Sequence, residues 1–196
     1  MENPSRRRVL TAGLAGSTLA LAGWRPAGAA TPPTPPARPT TADTEVLAAL
    51  QGLEFAARDL YQTALDAGAS DEGGLLETLR SNHEGYANGI SGLIGGAAPQ
   101  TADEALFEQY VGDFDSSDLA EITAAGYDLE SRTVATHLEA LAELEGVDGA
   151  ALIASILIVE SRACAVLANL AGQGDDLDAV LDNDAAPFSL DGGATP

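Results

Sequence analysis

Residues 47–64 read LAALQGLEFAARDLYQTA, and the spacing of their apolar residues indicates the fold class. Its apolar residues recur at alternating intervals of three and four, which is the period of helices that pack side by side in a bundle. The stripe consists of Leu47, Leu50, Glu54, Ala57, Tyr61 and Ala64. One member, Glu54, is a carboxylate, and an unpaired buried carboxylate costs several kcal/mol. Because a whole domain is stable by only about 5–15 kcal/mol, something must neutralise Glu54.

Three further segments show the same spacing, and each also places a residue of metal-ligand type in its apolar stripe. These stripes are Leu76, Leu79, His83, Tyr86, Ile90 and Leu93; Thr123, Gly126, Glu130, Thr133, His137, Ala140 and Leu144; and Ile153, Ile156, Glu160, Ala163, Leu167 and Leu170. A metal ion inside the bundle would neutralise Glu54, His83, Glu130 and Glu160 together.

The lengths of the links between helices predict the topology. The long helices are expected at 44–67, 74–94, 117–145 and 149–171, and two short ones at 102–111 and 175–181. Asp43 or Thr44 is expected to cap the first helix. The first and third links are short, so each joins an antiparallel hairpin. The long middle link, 95–116, can return along the bundle. The prediction is an all-α four-helix bundle with one long crossover and left-handed packing.

Composition excludes some partners without identifying one. The chain has 30 Asp and Glu against 9 basic residues, all of them Arg, for a net charge of −21. Such a surface repels nucleic acid and anionic membranes and attracts cations, although a salt-adapted or GC-rich lineage would produce the same bias. No internal apolar run approaches the ~20 residues of a membrane span. The single cysteine, Cys164, allows no intrachain disulfide.

The N-terminal segment resembles the signal of a twin-arginine export substrate. Residues 5–10 read SRRRVL, an apolar stretch follows at 10–24, and Ala27-Gly28-Ala29 has the small residues of a cleavage site. The resemblance implies that the protein is exported in a folded state to the periplasm, the cell envelope or the medium. Cleavage near Ala29 or Ala30 is expected, and retention as an uncleaved anchor is the alternative.

These features divide the chain into four parts. Residues 1–29 form the signal peptide, the Pro-rich residues 30–43 a linker, and residues 44–172 the bundle. The acidic, Gly-rich residues 173–196 form a tail that is partly disordered, unless Phe188 pins it to the bundle.

A faint internal duplication links the two hairpins. Leu53-Glu54, Tyr61 and Ala64-Leu65 on the first helix match Leu129-Glu130, His137 and Ala140-Leu141 on the third. With the long crossover, this pattern makes residues 44–171 resemble the ferritin-like superfamily, and within it the exported ferritin-like domain proteins. In the di-iron members of that superfamily, the first and third helices each give one Glu, and the second and fourth each give a Glu-x-x-His.

The resemblance implies an altered site. Glu54 and Glu130 match the single glutamates, and Glu160 matches the Glu of the fourth-helix motif. The His of that motif falls on Ala163, which cannot bind a metal.

Two alignments remain open for the second helix. One puts His83 at the Glu position and Tyr86 at the His position; the other puts His83 at the His position and Arg80 at the Glu position. The first is preferred because His83 and Tyr86 both lie on the apolar stripe. Tyr61 matches a polar ring behind the site.

Two functions follow from the residues. The first is an exported metal-binding protein that holds a single Fe, Mn or Zn ion at Glu54, His83, Glu130 and Glu160, with His137 one layer away. Residual oxidase or peroxide chemistry is compatible with it, so the sequence does not decide whether the protein is an enzyme.

The second function is a metal-free bundle that serves as a binding or structural module at the cell envelope. In that case Arg80, His83 and protonation neutralise the carboxylates. A homodimer is compatible with both functions, whereas the linker and the acidic tail do not suit a closed storage shell.

Overall fold

The computed structural model describes residues 34–71 and 73–190. The predicted signal peptide, the start of the predicted linker and the last six residues lie outside the described residues.

The described chain is helical and contains no strand. Its helices are α1 (Thr41–Asp66), α2 (Leu75–Ile94), α3 (Glu104–Phe114), α4 (Leu119–Glu143), α5 (Val147–Ala168) and α6 (Leu177–Leu181). A 3-10 turn at Gly95–Ala97 follows α2, and a π-helical turn at Asn169–Gln173 follows α5. The all-α prediction is therefore confirmed. The predicted boundaries were off by two or three residues at most of the helix ends.

Two apolar layers show how the four long helices run. The first layer joins the end of α1, the start of α2, the start of α4 and the end of α5, through residues such as Tyr61, Leu76, Ile122 and Leu167. The second joins the opposite ends of the same helices, through Leu47, Leu50, Ile90, Ala140, Ile153 and Ile156. Hence α1 and α2 are antiparallel, α4 and α5 are antiparallel, and α2 runs parallel to α4. This is the predicted bundle with a long crossover, which contains α3.

The first helix begins earlier than predicted, because its cap is Thr40 and not Asp43 or Thr44. Thr40 Oγ1 accepts a hydrogen bond from the amide of Asp43 (3.2 Å), and the Asp43 carboxylate accepts one from the amide of Thr40 (2.8 Å). Asp43 also accepts hydrogen bonds from the amides of Glu145 and Gly146 at 2.8 and 2.9 Å. Burial raises the pKa of Asp43, but these donors outweigh it and hold the pKa below its usual value. Asp43 therefore ties the start of α1 to the link before α5.

The described part of the tail packs on the bundle. The Phe188 ring lies against Tyr110, with 6.0 Å between ring centroids, and the Arg132 guanidinium lies 4.1 Å from the Phe188 ring centroid. The amide of Phe188 donates to Thr136 Oγ1 at 2.8 Å, and the Tyr127 hydroxyl donates to the carbonyl of Ala179 at 2.8 Å. Phe188 therefore holds the described part of the tail against the bundle.

The last long helix is more apolar than the sequence analysis predicted. The continuous helical segment Val147–Gln173 is long and apolar enough to cross a membrane, and an 18-residue stretch within it has a mean hydropathy of 2.0. One such helix is weak support for a membrane span, because core helices of soluble proteins pass the same test. Its buried residues include Ile153, Ile156 and Glu160, which face the bundle, whereas Leu170, predicted as core, is 47% exposed.

Candidate metal centre

Five ionisable side chains from the four long helices meet between the two apolar layers. They are Glu54 on α1, His83 on α2, Glu130 and His137 on α4, and Glu160 on α5. Each residue is at most 2% exposed. All five were candidates from the sequence, and the structure brings all five together.

The five side chains form an alternating row of carboxylates and imidazoles. His83 Nε2 lies 2.9 Å from Glu130 Oε1, and His83 Nδ1 lies 2.7 Å from Glu54 Oε2. The row continues through His137, whose Nε2 lies 3.0 Å from Glu54 Oε1 and whose Nδ1 lies 2.8 Å from Glu160 Oε2. The expectation that His137 lies one layer away is therefore wrong, because it contacts both Glu54 and Glu160.

Several buried polar atoms in this row have no hydrogen-bond partner. Glu54 Oε1 and His137 Nε2 are close together but are not aligned for a hydrogen bond, and Glu130 Oε2 and Glu160 Oε1 have no partner either. With Thr133 Oγ1, these are all of the buried side-chain nitrogen and oxygen atoms without a partner in the described residues. Each such atom costs about 1–3 kcal/mol, so the site concentrates unsatisfied polar atoms at one place.

Three members of the row could hold one metal ion. Glu54, His137 and Glu160 each offer one ligand atom, and these three atoms lie within 4.8 Å of one another. Two carboxylates and an imidazole are a donor set that Fe, Mn and Zn accept. Each of these three residues also carries one buried atom without a hydrogen-bond partner.

The pKa values show how the row is charged without a metal. Burial lowers the pKa of His137, but Glu160 and Glu54 outweigh it and raise the pKa to about 10. Burial also lowers the pKa of His83, yet Glu130 and Glu54 raise it well above its usual value. Burial raises the pKa of Glu54, but contacts with His137 and His83 hold it below its usual value. Both imidazoles are therefore protonated near neutral pH.

Glu160 behaves differently from Glu54. Burial is the main cause that raises the pKa of Glu160 to about 7, and the negative charge of Glu54 adds to it, although His137 opposes the rise. Glu160 therefore carries a proton for part of the time at neutral pH.

Tyr61 supports the row from behind, as the resemblance implied. Its hydroxyl donates to Glu130 Oε1 at 2.8 Å, and its ring stacks on His83 with 5.7 Å between centroids. Gly126 makes this position possible, because a Cβ at Gly126 would lie 3.1 Å from the Tyr61 hydroxyl. Tyr61 therefore fixes both Glu130 and His83.

The arginines within residues 34–190 do not neutralise the site. Arg80 forms ion pairs with Glu77 (2.8 Å) and Glu84 (3.3 Å) on the surface of α2, so its predicted role as an inward cation is wrong. Arg58 pairs with Asp59. In the described residues, every ion pair of Glu54, Glu130 and Glu160 is made with His83 or His137.

Sequence reasoning missed one polar neighbour of the site. Asn82 lies beside His83 and lines a small gap with Tyr86 and Ala163. No signal marked Asn82, because it lies next to the apolar stripe of α2 and not on it. Tyr86 and Ala163, the two residues that replace histidines in the alignment, face each other across this gap.

Comparison with known proteins adds one match. The sequence profile of the ferritin-like domain family matches residues 42–173. No curated protein and no solved structure matches the chain.

Proposed function

The chain belongs to the ferritin-like domain family, and we propose that it binds one transition-metal ion in the middle of its bundle through Glu54, His137 and Glu160. The observation that carries this proposal is the set of unsatisfied atoms. Glu54 Oε1, His137 Nε2 and Glu160 Oε1 are all buried and all lack a hydrogen-bond partner. The same three residues each offer one ligand atom within 4.8 Å of the other two, so one cation can contact all three residues.

The remaining residues of the row would orient this donor set. His83 contacts both Glu54 and Glu130, and Tyr61 holds Glu130 from the other side. Groups that fix a ligand in this way raise metal affinity, commonly by about 10–100-fold. An ion bound here would supply Lewis-acid chemistry and, if it were Fe or Mn, redox chemistry.

Metal binding must compete with protons at His137. An imidazole binds a metal only when that nitrogen is deprotonated, and the pKa of His137 is raised to about 10. Affinity should therefore rise with pH over the neutral range. Weak metal binding at low pH would be consistent with the site, whereas weak metal binding at high pH would contradict it.

Metal analysis of the purified protein tests the proposal. After loading with Fe²⁺, Mn²⁺ or Zn²⁺ near pH 8 and removal of excess ion, wild type should retain metal and H137Q should fall below ~0.1 equivalent. E139Q is the matched control, because Glu139 is an exposed carboxylate on the same helix. Circular dichroism verifies that each variant is folded. Wild type below ~0.1 equivalent, or H137Q equal to wild type, would overturn the proposal.

A metal-free binding or structural module is the second candidate. It is favoured by the four imidazole–carboxylate contacts of 2.7–3.0 Å, which already neutralise much of the buried charge. In that case E160Q should stabilise the protein, since replacing a buried charge often does so. If the protein is a metal-free module, added metal should also leave its free energy of unfolding unchanged.

We further propose that the protein is exported by the twin-arginine pathway, with residues 1–29 as the signal and 30–43 as the linker. The support is the motif Arg6-Arg7 followed by an apolar stretch and Ala27-Gly28-Ala29. Replacing Arg6 and Arg7 with Lys in the native host should retain the protein in the cytoplasm. Unchanged export of that variant, measured by fractionation, would count against the pathway.

A further inference from the structure

A small gap leads from the protein surface to the candidate metal centre between α2 and α5. Its outer lining includes Asn82, Tyr86 and Ala163, which are half-buried, and Val159, which is 36% exposed. The cavity volume is about 10 Å³, which is close to the space that one water molecule needs. The gap is therefore an opening of molecular width and not a binding cleft.

The buried polar residues that line the gap are His83, Glu130 and Glu160. Each of these carboxylates has one buried oxygen without a hydrogen-bond partner, Oε2 of Glu130 and Oε1 of Glu160. Glu160 belongs to the three-residue group that could hold the ion, so the gap touches the candidate metal centre.

The side chains at the gap explain why it lies there. Ala163 presents only a methyl group on α5, whereas Tyr86 across from it on α2 is large and carries a hydroxyl. The two helices belong to different hairpins, so no short loop closes them together. A single small residue therefore keeps the bundle open at the height of the carboxylates.

We propose that this gap is the route by which a divalent transition-metal ion enters and leaves the centre. The proposal rests on the proposed function. Because Glu54, His137 and Glu160 are at most 2% exposed, an ion cannot reach them without an opening. An ion that enters must exchange water for protein oxygens, and the residues that line the gap carry them: Asn82 and Tyr86 are half-buried, and Glu130 and Glu160 are buried. The net charge of −21 concentrates cations at the surface outside it.

Rates of metal exchange test this route, because a gate changes rates without changing the affinity. Purified wild type is loaded with Co²⁺, whose visible absorption reports binding, and release into excess chelator is followed by stopped flow. A163V narrows the gap and should slow both uptake and release by roughly tenfold, with the same final stoichiometry. A151V is the matched control, because Ala151 is an exposed alanine on the same helix. It should leave both rates unchanged.

A second variant keeps the test decisive if A163V does not fold. Y86A widens the mouth and should accelerate both uptake and release. Unchanged rates in the folded variants, with wild-type stoichiometry, would overturn the route while leaving the metal site intact. A change in stoichiometry without a matching change in both rates would overturn it as well, since Ala163 or Tyr86 would then act on the site itself. Failure of wild type to take up Co²⁺ at all would overturn the proposed function and the route with it.

Discussion

Raising the pH should destabilise the metal-free protein, and the row of imidazoles sets the size of the effect. The folded state raises the pKa of His137 from 6.5 to about 10. Its contribution to stability is fully present below pH 6.5 and is lost as the pH rises through the folded value. At roughly 1.4 kcal/mol per pKa unit, His137 contributes at most about 5 kcal/mol to the free energy of unfolding. The pKa of Glu160, raised from 4.5 to about 7, gives a contribution of the same sign that is lost at lower pH.

Urea unfolding with a chelator present measures this effect. The free energy of unfolding should fall by several kcal/mol between about pH 6 and about pH 9.5 in wild type, and by less in H137Q. The lowered pKa values of Asp43 and Glu54 lie below this range and do not oppose the trend. A free energy that is constant or rises over the range would refute the charge assignment.

Saturating metal should flatten this pH dependence. A ligand that binds only the folded state stabilises it by an amount that grows with its affinity. Because binding requires His137 to lose its proton, the affinity rises with pH. A shallower slope with metal than without therefore distinguishes the metal site from a metal-free row, for which the two slopes would coincide.

Three further predictions concern the support of the site, the attachment of the tail and the number of ions bound. G126A should weaken the bond from Tyr61 to Glu130 and cost about 1–2 kcal/mol of stability, and Y61F should relieve most of that cost in the double variant, measured by urea unfolding. R132A should remove the contact with Phe188 and cost about 1 kcal/mol, with faster proteolysis after α5 and unchanged helix content. Titration with Co²⁺ should saturate at one equivalent per chain.

Each of these predictions has an outcome that contradicts it. Additive effects of G126A and Y61F would show that the glycine does not act through the tyrosine hydroxyl. Unchanged proteolysis in R132A would show that the cation–π contact does not hold the tail. Saturation at two equivalents would show that His83 and Glu130 form a second site.

The sequence predicted the bundle well because the apolar period and the link lengths are local properties. A stripe with intervals of three and four identifies a packed helix wherever it occurs, and the short and long links allow few topologies. The errors at the helix ends came from capping. Thr40 and Asp43 have the spacing of a capping box. They were assigned to the Pro-rich linker, so the predicted start of the first helix lies three residues too late.

The position of His137 could not be predicted from α4 alone. It lies seven residues after Glu130, which is about 10 Å along a helix axis, and this separation suggests a different layer. The structure brings Glu54 and Glu160 to intermediate heights from antiparallel neighbours, and each contacts His137. Register between helices depends on tertiary packing, which a single sequence does not contain.

Arg80 is the opposite case, because the sequence does contain the information that places it at the surface. Glu77 and Glu84 lie three residues before it and four after it, the spacings at which helix side chains meet. Both are exposed, so Arg80 can pair with them without entering the core. An arginine with two such partners has no reason to lie among buried carboxylates.

The charge of the row favours one ion over two. Three carboxylates face two imidazoles, and without metal the balance is closed by protons on His83, His137 and, in part, Glu160. One divalent ion at Glu54, His137 and Glu160 would replace the protons on the last two, while protonated His83 would still pair with Glu54 and Glu130. The row would then be neutral. A second divalent ion would have to displace the His83 proton and leave an excess positive charge in a buried layer, which is costly. With Ala163 unable to add a ligand, the altered site is therefore best matched to a single ion.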